Sequence, residues 1–189
     1  MYNKTLIILL SGKAGVGKSY FAKKLAEQFT LKKLTVATSY FALGIKEVAS
    51  KYIGWDGKKD ERGRKLLQEL GTEVGRAYNP DCWIEYLLGT LENNANYPFD
   101  VIIIDDWRFP NEYEYLLGDP IYTPVKVRII SDKVKVTITE KSKQHESEMA
   151  LPENESYYNY VIFNDFTDSN SLSKAIDLCN ELDDLQSKL

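Results

Sequence analysis

Apolar runs alternate with segments of helical period along almost the whole chain. Residues 5–10, TLIILL, are apolar at nearly every position, the pattern of a buried strand. Residues 19–29 place Phe21, Leu25, Ala26 and Phe29 on one stripe at helical spacing. A second short strand is expected over 34–38, then a helix over 41–52 that the turn sequence Gly54-Trp55-Asp56-Gly57 ends. Helices are expected over 62–78 and 81–93, parted by Asn79-Pro80. A strand over 100–105, a short helix over 111–117 and a strand over 125–130 follow. The polar stretch 131–148 leads to a last short strand at 160–163 and a closing helix at 171–185, with Ser169 or Asn170 as its cap.

Strands alternating with helices predict an α/β fold, a parallel sheet covered on both faces. No repeat, low-complexity tract or linker interrupts it, so 1–189 reads as a single domain. Ligands of such sheets bind beyond the carboxyl ends of the strands. One strand ends there on an informative sequence. From Val101 to Glu112 the chain reads VIIIDDWRFPNE, in which β-favouring residues run straight into Asp105 and Asp106, with Arg108 two positions on. The expected topology puts all three at the binding edge.

Composition narrows the partners. A chain of 189 residues, 43% hydrophobic and 28% charged, has the balance of an ordinary globular protein with a substantial core. A net charge of −4 argues against nucleic acid or an anionic membrane as the main partner, so any bound anion needs a local positive site. The apolar run 6–10 is too short for a signal core or a membrane span. Cys82 and Cys179 form no CxxC pair, which argues against a disulfide framework or zinc site and suits a reducing cytoplasm.

The chemistry lies between the first strand and the first helix. Gly12-Lys13-Ala14-Gly15-Val16-Gly17-Lys18-Ser19 fits G-x-x-x-x-G-K-[ST] in the structural context that motif requires. The glycines let the backbone curl until its N–H groups point at phosphate oxygens, and the helix N-terminus adds partial positive charge. Lys18 is expected at the β- and γ-phosphates of ATP and the Ser19 hydroxyl on Mg2+. Gly12, Ala14, Gly15, Val16 and Gly17 complete the expected ATP loop. An NKxD-like guanine reader is absent from the sequence, as is the Gly-rich loop, HRD and DFG set of protein kinases. What remains is a small kinase that passes the γ-phosphate of ATP to a small acceptor.

An acceptor that is itself a phosphate ester needs arginine forks to hold it. Arg64, Arg76 and Arg108 stand in patterned segments: RKLLQELGTEVGR, closely followed by PDCWI, and then DWRFPNE. Together with HESE and VIFND, these segments resemble, in order and spacing, the deoxynucleoside monophosphate kinases of bacteriophages and some bacteria. The likeness runs from the phosphate loop to Asp165. It implies a nucleoside monophosphate kinase-like P-loop fold, with an acceptor-binding helical region over about 41–95 and a lid over 131–148. It also implies transfer from ATP, with Mg2+, to a (deoxy)nucleoside monophosphate.

Carried over residue by residue, the resemblance implies an acceptor-binding set of Lys13, Arg64, Gln68, Arg76, Arg108 and Glu148. Arg64 and Gln68 match R-x-x-L-Q, four apart and so on one helix face. Lys18, Asp106 and Arg108 form the implied catalytic set, with Asp106 joining Ser19 on the metal side. Asp105 stands where a Walker B acid would stand, but the family pattern favours Asp106. Asn164 matches the N-D after the last strand, either against adenine or opening a turn. Trp83 reads as core. His145, the only histidine, has no nearby partner for a metal site.

The chain departs from the family at the start of the lid. Relatives place an arginine there; this chain has Ser131, with Arg128 three residues earlier inside the strand. Lys133, Lys135, Lys141 and Lys143 in the lid are the candidates to supply the missing charge. Animal-type phosphomevalonate kinases share a similar layout, so another phosphorylated acceptor stays open. A nucleotide-binding regulator without efficient transfer is the alternative outside enzymes. Small-molecule nucleotides are the expected partners, and the choice between monomer and homodimer is open.

Overall fold

A computed structural model of the chain describes residues 4–134 and 145–186. Its sheet has five strands in the order β2-β3-β1-β4-β5, and every pairing is parallel. The strands are β1 (Thr5–Ser11), β2 (Val36–Ser39), β3 (Val101–Ile104), β4 (Tyr122–Ile130) and β5 (Tyr160–Phe163). The α-helices are α1 (Lys18–Leu31), α2 (Leu43–Ile53), α3 (Glu61–Gln68), α4 (Cys82–Glu92), α5 (Pro110–Gly118), α6 (Glu146–Met149) and α7 (Asp168–Gln186). This is the α/β arrangement that the alternation of apolar runs predicts. Among the described residues no helix is long and apolar enough to cross a membrane.

β1 pairs with β3 on one side and β4 on the other, so Leu6 to Ser11 are all buried and the sequence is apolar at consecutive positions. Its side chains divide between two cores. Leu6, Ile8 and Leu10 meet Phe21, Leu25 and Phe29 of α1 and Ala175, Leu178 and Leu182 of α7. Ile7 and Leu9 meet Ile84, Leu87 and Leu91 of α4, Leu116 of α5, and Trp107. Each fully buried Leu or Ile stabilises by roughly 1.5–3 kcal/mol, so the phosphate loop grows out of a strand anchored on both faces.

Three elements differ from the sequence expectation, each for a local reason. β4 begins at Tyr122 and runs through Pro124, a residue that usually demotes a strand. β5 joins β4 only from Val127 onward, so Pro124 pairs with β1 alone and disturbs no second ladder. α7 begins at Asp168, and its cap is Thr167. The Thr167 hydroxyl accepts the Asn170 N–H at 3.3 Å and its carbonyl accepts the Ser171 N–H at 3.1 Å.

The third difference matters most for the site. Where one helix is expected over 62–78, α3 gives way to a π-helix, Glu69–Arg76. Trp83 of α4 holds this wide turn: its indole N–H donates to the Gly71 carbonyl at 2.9 Å. A Cβ on Gly75 would lie 2.6 Å from the same indole. Trp83 is therefore half-buried and works as a brace against two glycines. Gly75→Ala is expected to cost about 1–3 kcal/mol by overpacking, read as a lower urea midpoint at unchanged m-value. An unchanged midpoint would show that the indole moves aside freely.

Candidate active site

Gly12 has φ +141°, and a Cβ there would lie 2.3 Å from the Ile129 carbonyl oxygen of β4. Gly17 has φ +94°, and its Cβ would lie 2.5 Å from the Asn164 amide nitrogen. Both positions therefore require glycine. Between them Val16 sinks into the core, 2% exposed, and fixes the loop from below.

The resemblance offers Asn164 to adenine, but the structure puts it behind the loop. Asn164 is 3% exposed. Its Nδ2 donates to the Val16 carbonyl at 2.8 Å, and its Oδ1 accepts from Phe166 N–H at 3.0 Å and Ser171 Oγ at 3.3 Å. It opens the turn after β5 and buttresses the loop.

Lys18 Nζ folds back onto the carbonyls of Gly12 and Lys13, at 2.7 and 3.1 Å. Burial first, and Arg108 second, push its ammonium down to about 8, while Glu148, Asp106 and Asp105 pull the other way. Such a desolvated cation gains its full charge when an anion arrives.

In front of Lys18 lies a cavity of about 580 Å3. Ala14, Gly15, Gly17 and Ser19 of the loop line it, with Asp105, Asp106 and Arg108 after β3. Arg64 and Gln68 of α3, Arg76 of the π-helix and Glu148 of α6 complete the set that the sequence singles out. Lys13 lies elsewhere: its side chain is exposed, 3.5 Å from Glu153, beside a smaller cavity of about 180 Å3.

The two adjacent acids are placed differently. Asp106 accepts the Phe41 N–H at 2.6 Å and the Ala42 N–H at 3.0 Å, one on each oxygen. That clamps the loop leading into α2 to the end of β3. Desolvation holds the Asp106 carboxyl above its ordinary range, against the pull of those two N–H groups. Asp105 donates its backbone N–H to Ser39 at 3.1 Å, and its carboxylate shares the cavity wall with Lys18 and Ser19.

The arginines are each held by a partner. Arg108 pairs with Glu148 and donates to the Ser147 carbonyl at 2.9 Å, fastening α6 over the strand end. Arg76 lies 2.7 Å from Glu112 Oε1, with its guanidinium 4.2 Å from the centroid of the Phe109 ring. The other Glu112 oxygen accepts the backbone N–H groups of Arg108 and Phe109, at 2.9 and 3.1 Å. Burial pushes the Glu112 carboxyl up to about 7, with Arg76 and the two N–H groups acting against it. Arg64 donates its Nε–H to the Lys59 carbonyl at 2.9 Å.

Sequence reasoning missed Glu112, although it closes the very segment that was singled out. It also missed Lys46, which lies 3.6 Å from the Tyr40 ring centroid in the cavity wall and is pushed down by burial and by Lys59. His145 accepts the Ser147 N–H on Nδ1 at 3.2 Å, and its Nε2 lies 3.2 Å from Glu73 Oε1. The single histidine thus ties α6 to the π-helix. Arg128 donates to Tyr158 Oη at 2.7 Å and to the Pro152 carbonyl at 3.3 Å. Of the lid lysines, Lys135, Lys141 and Lys143 lie outside the described residues, and Lys133 sits just past β4.

No cluster of three or more His, Cys, Asp or Glu side chains fit for a metal occurs among the described residues. A P-loop Mg2+ asks for less, one hydroxyl and one carboxylate, with phosphates and water completing the shell. Ser19 and Asp105 both line the cavity and carry one hydroxyl and one carboxylate.

Sheet order and loop together define an α/β P-loop NTPase-like fold. A gluconokinase from Sinorhizobium meliloti 1021 superposes with a TM-score of 0.53 at 10% identity, covering 99% of this chain and 98% of that one. A sugar kinase from Janibacter sp. HTCC2649 superposes with a TM-score of 0.50 at 14% identity, covering 94% and 95%. At such identities the likeness is one of fold. No protein-family model and no curated protein sequence matches the chain.

Proposed function

We propose that the chain is an ATP-dependent kinase that converts a (deoxy)nucleoside monophosphate to the diphosphate. The observation that carries this reading is that Arg64 of α3, Arg76 of the π-helix and Arg108 of the loop after β3 line one cavity with Lys18. Guanidinium forks suit a phosphate ester better than the hydroxyls of a sugar. Gln68, on the same helix face as Arg64, offers a donor and an acceptor to a base edge. Phe41, Ile45 and Leu67 give that base an apolar wall.

The acceptor phosphate oxygen attacks the γ-phosphorus in line, the bond to the β,γ-bridging oxygen breaks, and ADP leaves; no covalent enzyme intermediate is needed. The loop N–H groups hold the phosphate chain and Lys18 meets the β- and γ-phosphates. Arg64, Arg76 and Arg108 position the acceptor, and Asp106 keeps the α2 side of the cavity in place. Ser19 and Asp105 would hold Mg2+, which supplies charge neutralisation on the transferring phosphates. Asp106, the acid that the resemblance puts on the metal side, keeps a lone pair on each oxygen beyond the two backbone N–H groups it accepts and stands beside Asp105 as the alternative ligand.

A coupled assay with ATP, Mg2+ and a panel of ribo- and deoxynucleoside monophosphates tests the reading, with gluconate and phosphomevalonate as competing acceptors. Diphosphate formation from a monophosphate is the expected result. Turnover confined to another acceptor would overturn the substrate class, and ATP binding without any transfer would favour a regulatory protein.

A further inference from the structure

Glu112 lines the cavity yet is 0% exposed. An ionised group so buried needs donors on both oxygens. The two oxygens divide their partners by kind. Oε2 accepts the backbone N–H groups of Arg108 and Phe109, at 2.9 and 3.1 Å. That half is a helix cap, since Glu112 is the third residue of α5 and reaches back to the residue before its first turn. A cap needs one oxygen and works equally well at a surface. Oε1 does what no cap requires: it accepts Arg76 Nη2 at 2.7 Å, from the π-helix.

Arg76 is thereby set from two directions. Glu112 holds one end of its fork, and the guanidinium lies 4.2 Å from the centroid of the Phe109 ring. The side chain is only 11% exposed. One further N–H reaches the Pro80 carbonyl at 3.5 Å, and the rest belong to a residue that lines the cavity. The same carboxylate fixes the backbone of Arg108, so two arginines from different elements are referred to one buried acid. Arg76 takes its place from the end of β3, where the transferring phosphate must arrive, and not from its own helix alone.

We propose that Glu112 is a positioning residue for the acceptor: it holds Arg76 at a fixed place relative to Arg108, so that both guanidinium groups meet one phosphate ester as a preformed clamp. A side chain already ordered before the ligand arrives has less freedom to lose on binding. The inference rests on the kinase reading, which supplies the phosphate ester.

The test is steady-state kinetics of Glu112→Gln, Arg76→Ala and the double variant. The monophosphate that the wild type turns over fastest is varied at saturating ATP, and then ATP at saturating monophosphate. Burial pushes Glu112 up to about 7, so the assays run about one pH unit higher, where the carboxylate is ionised. Glutamine keeps its oxygen for the two backbone N–H groups and turns its amide NH2 to Arg76, donor against donor, which leaves α5 capped and releases the guanidinium. The acceptor KM of Glu112→Gln should rise about 10- to 100-fold with the ATP KM unchanged. The double variant should be no worse than Arg76→Ala, because the acid acts through the arginine. An unchanged acceptor KM would overturn the proposal. So would an ATP KM that rises in step, or losses that simply add in the double variant. A wild type that phosphorylates no acceptor overturns this inference and the kinase reading together. The same pattern on phosphomevalonate alone supports the clamp and sinks only the nucleotide assignment.

Discussion

Lys18→Ala is expected to give a folded protein whose phosphoryl transfer is slower by about 10³-fold, the scale on which a lost charge-stabilising donor acts. The ammonium is hydrogen-bonded inside the curl of the loop, on the carbonyls of Gly12 and Lys13. It is also costly to keep charged there, having been pushed down to about 8 by burial. Removing it therefore costs the unliganded fold little. A second readout follows from the same depression. Phosphate oxygens favour the protonated amine, so ATP binding near pH 8 should draw protons from the buffer, and the alanine variant should not. Calorimetry in buffers of different ionisation enthalpy measures that uptake. Wild-type turnover in the variant would refute the assignment of this loop.

Glu112→Ala should be the most damaging substitution for the fold around the site, at about 3–5 kcal/mol. Glu112 is buried, and its loss leaves the Arg76 guanidinium and the N–H groups of Arg108 and Phe109 without their shared acceptor. Denaturant titration reads the loss, and a cost under 1 kcal/mol would show that water replaces the carboxylate easily. Glu112→Gln separates charge from shape. In the folded state the carboxyl titrates at about 7, above its ordinary 4.5, so between those pH values the folded chain binds more protons than the unfolded one. Relative to the glutamine variant, the wild type should lose stability as pH rises through that window and level off above it. A difference that does not vary with pH would mean that Arg76 and the two N–H groups keep Glu112 ionised throughout.

Much of this was legible from residue order. β1 and β3 declare themselves because both faces of each are buried, and the loop between β1 and α1 is a motif whose spacing is set by phosphate geometry. Arg64, Gln68, Arg76 and Arg108 do come to one cavity. The sequence does not show which partner each charge takes. Asp106 and Arg108 read as neighbours, yet the first turns to the backbone before α2 and the second to Glu148, forty residues later. Asn164 could have faced a ligand or the loop, and only the third dimension shows it behind Val16. The π-helix has no signature of its own, because helical periodicity cannot register a turn widened by an indole from another helix.

The wide turns of Glu69–Arg76 make chain length here part of the chemistry. An α-helix rotates about 100° per residue, and a π-turn is what one surplus residue looks like inside such a helix. A deletion of one residue in this segment would let it settle into a regular helix continuous with α3. It would leave Arg76 on nearly the same side of the helix relative to Arg64, because the wide turns already absorb the surplus residue. Descendants of this chain can therefore shorten between 69 and 76 and keep the arginine in register, and what such a gap removes is the widened turn whose Gly71 carbonyl the Trp83 indole holds.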